Sequence, residues 1–524
     1  MLSARQILVP LIDINISELN VSATIIGYDS GHLNGVLGSQ DFTKIYGIRD
    51  GDTGAMYLTP YTRSTFSALF VVGALVGCQL VPLLTNRIGR RGNLYAASCT
   101  YAVGVALQTA GLAPAVFIVG RVLLGVALGL ISVTHPFHIY TEPLNDVHQV
   151  PAYLMECSTP TNRGQLMARY SQFLTTGNVL ACAISLGTSK YADSRSWRIT
   201  IAFRLVLALT VFVGVMFCPE SPLLLARKNK VTEARRALAI LRNADTNSPE
   251  VDEAMLDIET HIADQNVNGS ARFVECFQGT DLRRTLIGVA MSFFTISTGI
   301  TFWFGYGTTF FAAAGVDNSY LISLILAITN CVFTAPSMYL IERLGRRRSL
   351  IGGGILMGVA QLLTAIIHSA APDSKADKTM LVVGAVFFIA SYAPTWGIGG
   401  WLLMAEPFSD RARNYQSSIV LTAYWVITWL IGFVTPYMVD ETAGNLGVKV
   451  SYIWFGMTVL SLVWAYTCVP ELAGLSRSEI DELFEERVPA WRSREWQRQL
   501  RTIQAVEAES DKVPNVEEKM PCKA

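Results

Sequence analysis

The sequence predicts an all-α integral membrane protein with twelve transmembrane helices. The first observation behind this prediction is composition, since 51% of the 524 residues are hydrophobic and only 16% are charged. The second is that apolar runs of about 20 residues recur along nearly the whole chain, and a run of that length spans a bilayer as a helix. The third is that several motifs return after about 250 residues, which indicates two related six-helix halves.

Composition and motifs exclude several other classes of protein. The 41 basic and 41 acidic residues balance, so nothing in the charge suggests nucleic acid as a partner. The nine cysteines form no Cys-x-x-Cys pair and lie mostly inside apolar runs, so we predict neither a disulfide framework nor a metal site. The chain has no Gly-x-x-x-x-Gly-Lys-Ser/Thr phosphate loop and no evident nucleophile–base set. We therefore predict no cofactor, no ATP-driven pump and no enzyme.

Twelve apolar stretches bounded by charged or turn residues are the candidate spans. In order, they lie near 19–39, 64–84, 93–111, 114–134, 165–187, 199–218, 285–311, 319–341, 349–371, 379–404, 417–438 and 451–469. The first is the weakest, because polar residues such as Asp13 and Glu18 fall where a helix entering the membrane is normally apolar. Two interpretations stay open. The helix is tilted and partly shielded from lipid, or the given N-terminus is not the natural one.

Short basic loops set the predicted orientation. The strings NRIGRRG at 86–92 and ERLGRRRS at 342–349 each join two spans, and short arginine-rich loops face the cytoplasm. Both chain termini are therefore predicted to be cytoplasmic. The predicted units are an N-terminal six-helix bundle (1–218), a cytoplasmic linker with short helices (219–284), a C-terminal six-helix bundle (285–469) and a cytoplasmic tail (470–524).

Three short features recur at an interval of about 250 residues and support a duplicated architecture. Gly-Arg-Arg stands at 89–91 and 345–347, a Glu precedes an Arg by seven residues at 156/163 and 406/413, and Pro-Glu stands at 219–220 and 470–471. Charges at cytoplasmic helix ends can pair in one conformation and separate in another. We predict such a gating network from Arg90, Arg91, Glu156, Arg163, Glu342, Arg346, Arg347, Glu406 and Arg413. The alternative is that the arginines of the two basic loops merely hold those loops on the cytoplasmic side.

Longer strings resemble the sugar porter family of the major facilitator superfamily, and its fungal hexose and polyol transporters in particular. Besides the two basic loops, they are GYDSGHLNGVLG at 27–38, GRVLLG at 120–125, PAYLMECSTPTNRG at 151–164, PESP at 219–222, PTWGIGGWLLMAEPFSDRAR at 394–413 and PELAGLSRSEIDELFEERVP at 470–489. The resemblance implies the major facilitator fold, with a substrate site between two six-helix halves. It also implies a monomeric carrier of the plasma membrane.

Two ionisable residues fall inside predicted spans of the N-terminal half, Asp29 in the first and Arg121 in the fourth. A charge inside the membrane is costly, so such residues are functional candidates by default. The resemblance implies that Asp29 accompanies proton symport with Arg121 as its partner, and we predict that the two side chains meet. A static pair that fixes helix register is the alternative. Arg204, in the sixth span, is expected to extend outward to the membrane interface.

The resemblance also implies substrate-binding residues. Gln172 matches a sugar-coordinating glutamine, Trp401 a stacking tryptophan and Tyr306 an aromatic residue of the outer gate. Thr301 and Thr428 stand where the family commonly has asparagine. Amides donate and accept hydrogen bonds to sugar hydroxyls, and each net hydrogen bond lost costs about 0.5–1.5 kcal/mol. The site is therefore predicted either to take a less hydroxylated solute than a hexose or to transport poorly.

Residues 135–149, HPFHIYTEPLNDVHQ, interrupt a fourth helix that would otherwise continue from ISVT into VPAYLMECS. The two prolines and the polar residues of this segment suit neither a helix nor a bilayer. We interpret it as a retained intron, with a genuine cytoplasmic loop as the alternative.

The leading functional hypothesis is a secondary active transporter that imports a hexose-like, polyol-like or related small solute with a proton by alternating access. Its partners would be that solute, the proton and the lipid bilayer. One alternative is an efflux carrier of a less polar metabolite, which the missing amides motivate. The other is a non-transporting sugar sensor.

Overall fold

The computed structural model describes residues 22–49, 51, 54–111, 113–132, 163–242, 244–268, 273–316, 318–372, 374–409, 411–440 and 442–510. The segment 135–149, Glu156 and the polar residues that weaken the start of the first span lie outside the described residues. Arg163 begins a described helix, but its side chain is not among the described ones.

The described chain is almost entirely helical, as predicted. Its N-terminal half contains α1 (22–37), α2 (Gln40–Tyr46), α3 (Pro60–Ala110), α4 (Pro114–Ser132), α5 (Arg163–Thr188) and α6 (Arg195–Phe217). Between α2 and α3, strands β1 (Ile48–Arg49) and β2 (Met56–Tyr57) pair antiparallel. The linker that follows contains α7 (Pro222–Arg227), α8 (Val231–Arg242) and α9 (Pro249–Asn268).

The C-terminal half contains the remaining long helices. They are α10 (Gly279–Ser297), α11 (Ile300–Ala313), α12 (Ser319–Thr334), α13 (Ser337–Leu344), α14 (Arg346–Ala370), α15 (Lys375–Tyr392), α16 (Ile398–Leu403), α17 (Arg413–Val439) and α18 (Val450–Cys468). The tail adds α19 (Arg477–Glu485) and α20 (Ser493–Ser510).

By length and composition, eight helical stretches of the described chain could cross a membrane. They coincide with the predicted second, fourth, sixth, seventh, ninth, tenth, eleventh and twelfth spans. The first, third, fifth and eighth predicted spans coincide with α1, the second part of α3, α5 and α12 followed by α13. The all-helical membrane fold with two six-helix halves is thus present in the structure.

The second and third spans form one element, α3, which turns sharply at Gly89 (φ 81°, ψ 176°). Glu220, which follows the sixth span, accepts hydrogen bonds from the backbone N–H groups of Arg90 (3.0 Å) and Arg91 (3.4 Å). The first N–H groups of a helix have no partner within it, and a carboxylate there also interacts favourably with the helix dipole. Glu220 therefore fixes the start of the third span against the end of the sixth.

The same arrangement recurs in the C-terminal half. Gly345 (φ 85°, ψ 163°) separates α13 from α14, and Glu471 accepts a hydrogen bond from the backbone N–H of Arg346 (2.7 Å). Glu471 follows the twelfth span as Glu220 follows the sixth. The Gly-Arg-Arg and Pro-Glu features that repeat in the sequence are therefore the two sides of one contact, formed once in each half. We call the face that carries these two Gly-Arg-Arg loops the basic face. The opposite face, which the basic loops predict to lie away from the cytoplasm, is called the outer face.

Two spans of the C-terminal half that were predicted as single stretches are interrupted in the structure. The seventh span breaks at Gly299 (φ 97°), between α10 and α11. A Cβ at this glycine would lie 2.9 Å from the ring of Trp454. The tenth span contains a π-helical segment, Ala393–Gly397, between α15 and α16. Such segments are frequent at functional sites of helical proteins.

Glycines bring the second and fourth spans into close contact. A Cβ at Gly125 would lie 2.0 Å from the carbonyl oxygen of Phe70, and one at Gly129 would lie 2.3 Å from that of Ala74. Small residues at helix contacts in membranes allow the backbones to approach closely. Arg121 lies one helical turn before Gly125, so this contact places the Arg121 side chain against the second span.

The tail is bound to the C-terminal half. Arg284, at the start of the seventh span, pairs with Asp481 and lies over the ring of Phe484 at 4.6 Å. Arg347 donates a hydrogen bond to the carbonyl oxygen of Ala490. The described part of the tail is therefore packed against the same half whose twelfth span it follows.

The turn at Gly89 yields a prediction. Gly89→Ala should lower the free energy of unfolding by about 1–3 kcal/mol or more, because these backbone angles are essentially restricted to glycine and a Cβ would lie 2.2 Å from the Glu220 carboxylate. Gly352→Ala is the matched control, since this glycine is mid-helix with open space around its Cβ position. Thermal unfolding of the purified protein in detergent measures both. Equal melting temperatures for the two variants would contradict the prediction.

Candidate functional site

A buried polar cluster lies inside the N-terminal half, around Asp29. Arg204 Nη1 donates to Asp29 Oδ1 at 2.8 Å, and the Tyr101 hydroxyl donates to Oδ2 at 3.0 Å. Arg204 Nη2 donates to Gln108 Oε1 at 2.7 Å. His32 Nδ1 lies 3.5 Å from Asp29 Oδ1. The cluster joins the first, third and sixth spans.

The partner of Asp29 differs from the predicted one. Its ion pair is with Arg204 and not with Arg121, and Arg204 is completely buried. The expectation that Arg204 extends outward was therefore wrong. Arg204 is nine residues into α6, which places it about 13 Å from the start of that helix at 1.5 Å per residue. The outer end of the helix is beyond the reach of its side chain, so the guanidinium pairs with the carboxylate inside the bundle.

Arg121 lies near this cluster with a different set of contacts. Its Nε donates to the carbonyl oxygen of Phe66 at 2.8 Å, and its guanidinium carbon lies 5.1 Å from the centre of the Phe70 ring. Its Nη1 is buried without a hydrogen-bond partner. A charged side chain at the centre of a membrane helix costs roughly 2.5–3.5 kcal/mol on insertion scales. Part of that cost is offset by the carbonyl and the aromatic ring, and among the described residues no carboxylate forms an ion pair with Arg121.

The two halves meet at the outer face through polar contacts. Arg63, at the outer end of the second span, pairs with Asp440 at the end of the eleventh, with Nη1 and Oδ2 3.2 Å apart. The Ser64 hydroxyl donates to the carbonyl oxygen of Phe433 at 2.7 Å. These contacts join the ends of spans from different halves, so they hold that face closed.

Tyr306 and Asn34 add to this closure. The Tyr306 hydroxyl donates to the carbonyl oxygen of Gly432 at 2.8 Å and forms a short hydrogen bond with Ser67 of the other half. Asn34 Oδ1, in the first span, accepts a hydrogen bond from the backbone N–H of Thr308 at 2.9 Å. The position of Tyr306 is compatible with the outer-gate role that was predicted for it, and the role itself stays a prediction.

Gln172, the predicted sugar ligand of the fifth span, also lies between the halves. Its Nε2 donates to Cys331 of the eighth span, at 2.9 Å from Sγ and 3.3 Å from the carbonyl oxygen. In this conformation the amide is occupied by protein atoms. It would have to leave these partners in order to bind a solute.

Trp401 and Thr428, two of the predicted substrate residues, each contact Tyr424 of the eleventh span. The Trp401 and Tyr424 ring centres are 4.9 Å apart, and the Thr428 hydroxyl donates to the carbonyl oxygen of Tyr424 at 2.7 Å. Trp401 is 45% exposed, so a large part of its ring is free to contact another group. Thr301 is half-buried on α11, in the outer part of the broken seventh span. Trp401 and Thr428 thus each contact Tyr424, one through its ring and the other through its backbone carbonyl, while Gln172 lies beside the eighth span.

Several charged side chains of the basic face bond to groups of their own half. Arg346 donates to both oxygens of Glu406, at 2.7 and 3.2 Å. In the N-terminal half, Arg91 donates to the carbonyl oxygen of Met216 at 2.6 Å. Arg413 donates to the carbonyl oxygen of Phe408 at 3.4 Å, whereas Glu342 is exposed. These contacts lie within single halves, and the gating role of the network stays a prediction.

Sequence reasoning noted Gly-Arg-Arg and Pro-Glu separately and missed that they bind each other. A signal was present, because the interval between the two features is about the same in both halves. Gln108 and Tyr101 were missed altogether. They are large polar residues within the predicted third span, which is a signal that could have pointed to a buried partner.

Comparisons with known proteins agree with this fold. A family profile described as "Sugar (and other) transporter" matches residues 19–142 and 146–484. The chain is 30% identical to the major facilitator-type transporter ecdD of Aspergillus rugulosus, over 90% of this chain and 87% of ecdD. It is 29% identical to the high glucose sensor RGT2 of Saccharomyces cerevisiae, over 92% of this chain. The match spans 62% of RGT2, less than two thirds of its length.

Solved structures with the same fold include the xylose transporter XylE from E. coli. The inward-open conformation of XylE matches with a TM-score of 0.70 at 20% sequence identity, over 90% of this chain and 99% of XylE. The proton:xylose symporter XylE bound to 6-bromo-6-deoxy-D-glucose also has a TM-score of 0.70 at 20% identity, over 91% of this chain and 99% of XylE. The major facilitator fold predicted from the sequence is confirmed.

The pair between Asp29 and Arg204 yields a prediction about stability. Asp29→Asn and Arg204→Gln should each lower the free energy of unfolding by about 3–5 kcal/mol, because each leaves a buried charge without its partner. The double variant should lose less than the sum of the two, by at least about 1 kcal/mol. The free energy of unfolding in detergent, measured for the wild type, the two single variants and the double variant, gives the coupling free energy of the pair.

The exposed pair between Asp193 and Arg195 provides the control cycle. Its side chains are 52% and 65% exposed. The coupling free energy obtained from Asp193→Asn, Arg195→Gln and their double variant should therefore be close to zero. Additive losses in the Asp29 and Arg204 cycle would show that the buried pair does not act as a unit.

The contacts at the outer face yield a second prediction. Arg63→Gln should raise the rate of amide hydrogen exchange in the outer ends of the second and eleventh spans about two- to fivefold, because a partly exposed pair holds that face closed. His368→Gln is the control, since His368 and Asp377 are paired at 2.9 Å within the C-terminal half alone. Unchanged exchange in Arg63→Gln, or an equal rise in His368→Gln, would be the contrary result.

Proposed function

Because the chain belongs to the sugar transporter family of the major facilitator superfamily, we propose that it carries a sugar or a related small polar solute across a membrane by alternating access. The observation that carries this proposal is the closure of the outer face by separable polar contacts between two six-helix halves. Breaking these contacts would expose the opposite side of the interface without disrupting the helices of either half.

The proposal includes coupling to a proton through Asp29. Its carboxylate is held by Arg204 and Tyr101 and lies near Arg121. A conformational change that moves Arg204 away would leave a buried carboxylate, and such a group takes up a proton readily. Proton uptake and release could then alternate with the formation of the Asp29 and Arg204 pair.

The remaining parts of the proposal follow from family membership and the basic loops. The chain is a multi-pass membrane protein of a family of carriers. We place it in the plasma membrane as a monomer without enzymatic activity, with both termini cytoplasmic because short arginine-rich loops favour that side. The boundaries at 218, 284 and 469 divide it into two bundles, a linker and a tail.

A second candidate is an efflux carrier of a less polar metabolite. Thr301 and Thr428 replace amides that would bind sugar hydroxyls, and the Thr428 hydroxyl already bonds its own helix. The relative RGT2 is named as a sensor, so a sensor without transport is a third candidate. Measurement of net solute flux separates these possibilities.

The proposed function predicts uptake in a yeast strain that lacks its own hexose carriers. Labelled hexoses and polyols should accumulate, and an uncoupler or Asp29→Asn should reduce the rate about tenfold or more because the uncoupler dissipates the proton gradient and Asp29→Asn removes the carboxyl group that would carry the proton. Asp193→Asn, at an exposed pair, is the control variant. The chain as written should be compared with a version lacking 135–149, and surface expression should be verified for each.

Each outcome of this experiment has a distinct meaning. Uptake that resists the uncoupler would contradict proton coupling and leave facilitated diffusion. If protein that reaches the membrane takes up none of the labelled hexoses and polyols, the import hypothesis is contradicted and the efflux carrier or the sensor is favoured. Uptake by the shortened form alone would support the interpretation of 135–149 as a retained intron.

A further inference from the structure

His32, in the first span, has a ring nitrogen that the proposed transport cycle does not use. The side chain is completely buried, and its ring lies stacked on that of Tyr28 with the ring centres 6.0 Å apart. Its Nε2 is buried and has no hydrogen-bond partner among the residues that the structure describes. Burial of a polar atom without a partner costs free energy, so the presence of such an atom calls for a functional explanation.

The neighbours of the other ring nitrogen decide which nitrogen carries the hydrogen. His32 Nδ1 lies 3.1 Å from the carbonyl oxygen of Asp29, 3.3 Å from that of Tyr28 and 3.5 Å from Asp29 Oδ1. All three atoms are hydrogen-bond acceptors, so Nδ1 carries the hydrogen. In the neutral ring Nε2 then has a free lone pair, which makes it the proton acceptor of this side chain.

The charges around His32 are unbalanced even while its ring is neutral. The titratable and charged groups that face this part of the first span are Tyr28 and Asp29 on the same helix, Tyr101 on the third span, Arg121 on the fourth, Cys182 on the fifth and Arg204 on the sixth. Two of these groups are positive and one is negative. A proton on His32 would add a third buried positive charge while Arg204 still holds Asp29, and burial of surplus charge is expensive. The ring is therefore neutral in this conformation.

The first span also joins the two halves close to His32. Asn34 Oδ1 accepts a hydrogen bond from the backbone N–H of Thr308 at 2.9 Å, and the Tyr320 hydroxyl donates to the carbonyl oxygen of Gly35 at 3.0 Å. Asn34 and Gly35 lie within one helical turn of His32. Opening of the outer face would break both bonds, so the part of α1 that carries His32 responds directly to that movement.

Departure of Arg204 would change the charge balance around Asp29. The carboxylate would lose its ion pair and keep the hydrogen bond from Tyr101. His32 follows Asp29 by three residues on the same helix, so the two side chains stay neighbours while α1 moves. An imidazolium at His32 would supply the positive charge that Arg204 takes away, and the net charge of the cluster would not change.

We propose that His32 carries the coupled proton, as an imidazolium that pairs with Asp29 when Arg204 withdraws. The inference rests on the proposed proton-coupled transport and places that proton on the ring in place of the carboxyl group. Nε2 takes the proton from water on the side that is open, and Nδ1–H donates to Asp29 Oδ1. Return of Arg204 to Asp29 releases the proton from Nε2 to water on the other side.

The first experiment measures the protonation of His32 by ¹⁵N NMR of the full chain in lipid bilayers. The reference chain has glutamine in place of the other five histidines, which are His135, His138, His148, His261 and His368. At about pH 6.5, where histidine ordinarily titrates, we expect a neutral ring with its hydrogen on Nδ1. Arg204→Gln in the reference chain should give an imidazolium, whereas Arg204→Lys, which keeps the charge, should keep the ring neutral.

Two results of this measurement would overturn the inference. One is a neutral ring in folded Arg204→Gln at every pH from about 8 down to about 5. The other is a hydrogen on Nε2 in the reference chain. If Arg204→Gln does not fold, the position of the hydrogen in the reference chain and the transport experiment still decide the question.

The second experiment measures the steady-state accumulation of labelled glucose and labelled mannitol in proteoliposomes. An inward gradient of about one pH unit corresponds to about tenfold accumulation by one-to-one symport, and we expect the wild type to approach this value for at least one solute. His32→Asn keeps an N–H donor near the position of Nδ1 but cannot take up the proton. It should exchange labelled for unlabelled solute without accumulating it, and His32→Gln is the second variant if His32→Asn does not insert.

His368→Asn is the matched control for the transport experiment. His368 pairs with Asp377 at 2.9 Å within the C-terminal half, so this variant should accumulate solute as the wild type does. Equal loss of accumulation in His32→Asn and His368→Asn would count against a specific role of His32.

The remaining outcomes separate this inference from the proposed function. Accumulation by His32→Asn would overturn the inference, and its loss in Asp29→Asn would then leave the carboxyl group as the proton carrier. A wild type that exchanges solute without accumulating it would contradict proton coupling and this inference, and would leave facilitated diffusion. If correctly inserted wild type neither takes up nor exchanges either solute, the result counts against the proposed import and against this inference with it.

Discussion

The requirement that charge inside a membrane be matched governs the N-terminal half of this protein. Asp29 reaches Arg204 on the sixth span and Tyr101 on the third, and Arg204 in turn reaches Gln108. These bonds hold the first, third and sixth spans at fixed positions relative to one another. An unmatched buried charge is expensive. Arg121 differs from Arg204 because its contacts are the carbonyl oxygen of Phe66 and the ring of Phe70.

The same physical rule operates at the helix ends. Glu220 and Glu471 occupy equivalent places and neutralise the starts of the third and ninth spans. Each half therefore binds its own basic loop, and Arg346 and Glu406 strengthen the C-terminal one. Contacts of this kind make each half a rigid unit, whereas the bonds between Arg63, Ser64 and their partners join two such units at one face. Movement between the halves is the motion that this distribution of contacts allows most readily.

The helices and the duplication could be predicted from the sequence, because apolar runs and repeated motifs depend on composition and spacing alone. The pairing of Asp29 could not, since it depends on the direction in which Arg204 projects from its helix and on how that helix is rotated in the bundle. The break at Gly299 was not predicted either, because the contact with Trp454 comes from a distant part of the chain. Gln172 was selected by resemblance, and its bond to Cys331 depends on the conformation that the two halves adopt.

The carboxylate at Glu220 has a consequence for how the chain is made. Its partners Arg90 and Arg91 precede it in the sequence, and Ser221, whose backbone N–H also donates to Glu220, follows it directly. The ribosome therefore delivers everything that this contact needs before the seventh span is synthesised, and domains commonly fold in that order during translation. Glu471 differs, because its backbone N–H and carboxylate also bond Ser493 and Arg494 of the tail. The second half completes its corresponding joint only when the last helices have left the ribosome.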